Sequence, residues 1–68
     1  MRKFNLERLE DESGVSGTGV VAQGVIFNDG VCVMRWLTET PSTAVYANMD
    51  DLIAIHGHQG KTRAVLLD

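Results

Sequence analysis

The densest group of chemically capable side chains lies near the C-terminus. His56-Gly57-His58-Gln59-Gly60-Lys61-Thr62-Arg63 sets two imidazoles, an ammonium, a hydroxyl and a guanidinium within one glycine-bracketed turn. Glycines let backbone N–H groups turn toward a common point and the cations neutralise charge, so this turn can hold an anion. The plainer alternative is a helix C-cap followed by a polar turn, with the cations answering helix carbonyls and nearby carboxylates. Gly60-Lys61-Thr62 matches the end of a phosphate-binding loop in letters only. That motif's first glycine would fall at Ile55, and Thr62 leads into a strand pattern. Gly17-Thr18-Gly19-Val20-Val21-Ala22 imitates a dinucleotide fingerprint. The fingerprint works by starting a helix at its glycines, whereas Val20 onward reads as strand. His56 and His58, two apart in a flexible turn without a third ligand, fix no metal geometry, so no metal or other cofactor is expected.

A second group is aromatic. Trp36 stands beside Arg35, and Tyr46 follows the Ser42-Thr43 pair, an arrangement that offers a stacking face ringed by hydrogen-bond donors. The competing reading places these rings in the core with Phe4 and Phe27. Cys32 alternates with Met34 and Trp36 in an apolar run, which suits a buried thiol better than a nucleophile. No Ser-His-Asp or Cys-His-acid set accompanies it, so no enzyme is expected.

The elements that must position these groups follow from pattern. Arg2 to Leu9 alternates apolar and polar residues as a strand does, and Asp11 to Gly19 collects glycines and small polar residues as a loop does. Val20–Phe27 and Val31–Leu37 flank Asn28-Asp29-Gly30, which predicts a hairpin. A two-residue Asp29-Gly30 turn would set Phe27 against Cys32, Val25 against Met34 and Gln23 against Trp36, leaving Gly24 opposite Arg35 as the point of a bulge or bend. After Pro41, Ser42–Ala47 reads as a fourth strand. Asn48 then caps a short helix in which Met49, Leu52 and Ile53 recur at helical spacing. Gly57 would end it as a left-handed residue, and Thr62–Leu67 closes the chain as a strand. The order ββββαβ is that of SH3-like small barrels, in which closure hides the edges of a mostly β sheet too small to protect them otherwise.

The chain of 68 residues makes one domain spanning residues 1–68. No apolar run reaches membrane-span length, and the N-terminus lacks an apolar leader, so a cytoplasmic location is expected. One cysteine excludes an internal disulfide, and a core this small makes a homo-oligomer the natural expectation. Six Lys+Arg against nine Asp+Glu give a net charge of −3, which disfavours nucleic acid as the partner. The acidic run Glu7, Glu10, Asp11 and Glu12 reads as a solvated strand end.

Taken together, Val15-Ser16-Gly17-Thr18-Gly19-Val20-Val21-Ala22, Gly24-Val25-Ile26-Phe27, Asp29-Gly30, Met34-Arg35-Trp36, Pro41 through Tyr46, Asp50-Asp51-Leu52, Ile55 through His58 and Gly60 through Arg63 resemble a family of short proteins of phages, prophages, actinobacteria and halophilic archaea. The resemblance covers nearly the whole chain and carries no catalytic residues with it. In size and setting the chain is also similar to small oligomeric phage proteins that sequester nucleotide immune signals. For a phage-encoded protein the compartment would be the host cytoplasm. The expected function is non-enzymatic binding of a small anionic nucleotide-like ligand. Lys61 and Arg63 would neutralise phosphate, His56, His58 and Thr62 would supply hydrogen bonds, and Arg35, Trp36 and Tyr46 would bracket a base. The alternatives are a structural or protein-interaction module without a ligand and, third, a nucleic-acid-binding barrel.

Overall fold

The computed structural model describes residues 1–9, 19–57 and 60–67. The proposed 11–19 loop, apart from Gly19, lies outside these residues, as does His58. Five strands, β1 (Arg2–Arg8), β2 (Gly19–Ile26), β3 (Cys32–Trp36), β4 (Thr43–Tyr46) and β5 (Thr62–Leu67), form one antiparallel sheet in the order β4-β3-β2-β1-β5. Helix α1 (Met49–His56) joins β4 to β5, giving the mostly β, SH3-like ββββαβ arrangement. Edge closure differs from the expectation. No β4–β5 ladder forms among the described residues; α1, which connects these two edge strands, touches both. A helix can cover two edges that strands of four and six residues do not bring together.

The alternating pattern decides which residues enter the core. Phe4 and Leu6 of β1 turn inward with Ala22, Cys32 and Met34 from the neighbouring strands, and Leu52 of α1 closes over them. Phe4, Leu6, Met34 and Leu52 each contribute about 1.5–3 kcal/mol by leaving water. Val21 joins them because the ladder slips between Leu6 and Glu7: Leu6 faces Ala22 but Glu7 faces Val20. This bulge, and not Gly24, is where the β1–β2 register breaks.

The β2–β3 hairpin corrects the expected register by one residue. Ile26 faces Cys32, Val25 faces Val33, Gly24 faces Met34, Gln23 faces Arg35 and Ala22 faces Trp36. The Phe27 and Gly30 N–H groups donate to the Val31 and Phe27 carbonyls at 2.8 and 2.9 Å, closing a three-residue loop with Gly30 at φ +97°. The Val31 N–H donates to the Asp29 carboxylate at 3.0 Å, which fixes the third turn position. A turn followed by a left-handed glycine is a common three-residue hairpin, and it competes with the two-residue form for the same Asp-Gly letters.

Gly24 is required by packing. A Cβ there would overlap the Val33 carbonyl oxygen and lie 2.6 Å from Cζ of Phe4, so the Phe4 ring occupies the space of the missing side chain. Asn48 caps α1 as expected, its Oδ1 accepting from the Asp51 N–H at 2.8 Å. Gly57 is not left-handed: it has φ −71° and its N–H donates to the Ile53 carbonyl. Glycine suits this position because a Cβ would come within 2.6 Å of that same oxygen, and the left-handed turn falls at Gly60. Ile53, expected on the packed face of the helix, lies at its exposed margin, and Leu52 makes the central contact.

Candidate functional site

One end of the sheet gathers the end of β1, the start of β5 and the end of β3. Three backbone hydrogen bonds tie it: Leu9 N–H to Lys61 O at 2.6 Å, Leu37 N–H to Val21 O at 2.9 Å and Trp36 N–H to Ser42 O at 3.0 Å. The glycine turn enters this end from α1, with the Thr62 and Gly60 N–H groups both donating to the Gly57 carbonyl at 3.0 Å.

His56, the last residue of α1, is held between two aromatic rings. Its ring meets Trp36 edge-on with centroids 5.1 Å apart and Tyr46 at 5.6 Å, both near perpendicular. Its Nε2 shares a 2.6 Å hydrogen bond with the Tyr46 hydroxyl. Burial pushes the Tyr46 phenol above its ordinary value, further into the range where it keeps its proton. The phenol O–H donates when Nε2 is unprotonated. All three side chains are half-buried, so the cluster is part core and part surface. The core and stacking readings of these aromatics thus describe two sides of one cluster. Phe4 is buried, while Phe27 is exposed.

The other expected site residues divide between the faces of the sheet. Arg35 points outward and its Nη1 donates to the Thr43 hydroxyl at 2.9 Å. Arg63 faces Glu7 across the β1–β5 ladder, with Nη2 3.9 Å from Oε1, and is also on the outside. Thr62, one residue earlier, points inward and is 2% exposed. Lys61 is half-buried in the turn. The structure therefore brings Trp36, Tyr46 and His56 into contact and places Lys61 and Thr62 in the adjoining turn, while Arg35 and Arg63 stand on the opposite face. His58 lies outside the described residues.

Arg8 is the residue that sequence reasoning missed. It faces Thr62 across the β1–β5 ladder and is only 8% exposed. Its Nε and the Thr62 Oγ1 are both buried without a hydrogen-bond partner. Buried polar atoms are nearly always satisfied, and an orphaned pair on neighbouring strands is a local departure from that rule. The signal was present in the sequence, because Arg8 continues the inward phase of Phe4 and Leu6. An arginine on the buried phase of a strand is the anomaly to look for.

Among the described residues no three His, Cys, Asp or Glu side chains assemble as a metal site. No helix among them is long and apolar enough to cross a membrane. The Cys32 thiol is buried and its pKa is raised by that burial, which leaves it protonated and unreactive.

Fold and site together define a small, mostly β domain of one five-stranded antiparallel sheet and one helix, with an aromatic cluster and inward-facing cationic and hydroxyl groups at one end. A family match over residues 1–68 places it further: the chain belongs to the Acb5 phage protein family. No curated protein and no solved structure matches it.

Proposed function

We propose that this protein binds a small anionic, nucleotide-like ligand without transforming it, and sequesters it within a homo-oligomer. The carrying observation is the Arg8–Thr62 pair, a buried guanidinium and hydroxyl with unanswered hydrogen-bonding atoms, beside Lys61 and the Trp36–His56–Tyr46 cluster. An anion supplies the acceptors that Arg8 lacks, and the aromatic edges suit a base. Membership of a phage family supports a role against a host nucleotide signal. The size of the chain supports assembly: its interior is filled by Phe4, Leu6, Met34 and Leu52, so a ligand fits more readily where copies meet.

The test is retention. Protein incubated with a nucleotide extract and passed through gel filtration carries a ligand detectable by mass spectrometry. Arg8→Gln and, separately, Lys61→Ala lose it while keeping the wild-type circular dichroism spectrum. Recovery of no ligand from any extract, together with a monomer by sedimentation, overturns the reading. One observation favours the alternative of a ligand-free interaction module: Val45 and Ile55 are exposed apolar side chains on β4 and α1. An oligomer that forms normally and never retains a small molecule selects that alternative.

A further inference from the structure

The outer face of the sheet carries a cleft that shares no residue with the cluster beside Lys61. It encloses about 280 Å³ and is lined by Lys3, Asn5, Gln23, Val25 and Leu67 around the backbone of Phe4 and Gly24. Its layout follows from the register. Lys3 stands between Val25 on β2 and Leu67 on β5, and in the next outward row Asn5 faces Gln23. Residues paired this way hold their Cβ atoms about 5 Å apart, and successive rows on one face lie roughly 7 Å apart. Phe4 and Gly24, which pair across β1 and β2, form part of the cleft's lining.

The polar groups here are unanswered. Among the described residues, the side chains of Lys3, Asn5 and Gln23 have neither a hydrogen-bond nor an ion-pair partner. Asn5 is also half-buried.

We propose that this cleft is a binding site for a purine nucleoside monophosphate. Two side-chain amides facing each other present paired donors and acceptors, the chemistry that reads the N6–H and N7 edge of adenine. Val25 offers an apolar contact to the ring beside Gln23, and the Lys3 ammonium, two residues from Asn5 on the same strand, meets the phosphate. Volume sets the size of the guest. The cleft's 280 Å³ lies just under the low end, about 300 Å³, of pockets that bury small molecules. It therefore takes one nucleotide and not two linked ones.

The probe is adenosine monophosphate, titrated into the full chain and followed by amide NMR shifts, with adenosine and ribose 5-phosphate titrated separately. The expected shifts centre on residues 3–5 and 23–25. Gln23→Ala or Asn5→Ala weakens binding by about tenfold or more, the discrimination carried by a paired amide contact. Lys3→Met removes the preference for the monophosphate over adenosine and leaves adenosine binding unchanged. Lys61→Ala leaves the shifts at residues 3–5 and 23–25 as they are, whatever it does elsewhere, which separates this cleft from the cluster beside Lys61. Absence of shifts at these residues with ligand at about 1 mM, the weak end of specific recognition, overturns the proposal. So does ribose 5-phosphate binding as tightly as adenosine monophosphate, because the base would then go unread.

Discussion

The inner and outer faces of the same five strands do different work. Inward, side chains fill the available space so fully that Gly24 cannot accept one more carbon, and the orphaned polar atoms of Arg8 and Thr62 stand out against an apolar background. Outward, Lys3, Gln23 and Arg35 are exposed and Asn5 is half-buried, and the ion pair of Arg63 with Glu7 is long and partly exposed. The contrast teaches where recognition can occur in so small a domain. Its inside is committed to stability, so any ligand would have to be met outside the core.

The comparison is broken most forcefully at Gly24. Gly24→Ala pushes a methyl group into Phe4 and the Val33 carbonyl and is expected to cost about 1–3 kcal/mol, or more if the backbone cannot shift. For a domain of this length each kcal/mol is roughly 4–8 °C of thermal midpoint, read by circular dichroism. Phe4→Leu in the same chain should recover part of that loss, and a purely additive double mutant would deny the contact. Asn48→Ala, which removes the cap that accepts from Asp51, should cost about 1 kcal/mol by urea denaturation.

Tyr46→Phe tests the half-buried boundary between the faces. Losing the hydrogen bond to His56 should cost about 0.5–1.5 kcal/mol. Alkali probes the same boundary. Burial raises the Cys32 thiol above 9.0 and the Tyr46 phenol above 10.0, so the folded chain holds these protons longer than the unfolded chain does. Stability from this source is complete below pH 9.0 and is lost as pH climbs through the folded values. Urea midpoints across that range should fall, and Cys32→Ala should delay the onset. The smallest effect belongs to the outside: Arg63→Ala should change stability by less than about 0.5 kcal/mol, because an exposed pair is screened by water.

Much of the architecture was legible because it is local. Alternation marked the strands, Asn48 and the two aspartates that follow it marked the helix start, and Asp29-Gly30 marked the hairpin. The hairpin register was not legible, since two-residue and three-residue turns share those letters and only the pairing of Ile26 with Cys32 separates them. The site was legible in part. His56, Trp36 and Tyr46 do meet, but Arg35 and Arg63 fall on the far face because strand alternation sends neighbours in opposite directions.

By itself the sequence determined the element types, their order and the absence of a disulfide within these 68 residues, all consequences of short-range periodicity, turn chemistry and a single cysteine. Only the tertiary structure decided that the two edge strands stay unpaired with each other, that Arg8 is buried against Thr62 and that Asn5, Gln23 and Lys3 share one cleft. These depend on which strands become neighbours and in what register. Residues far apart in the chain meet only after the sheet has formed, and no local pattern encodes that distance.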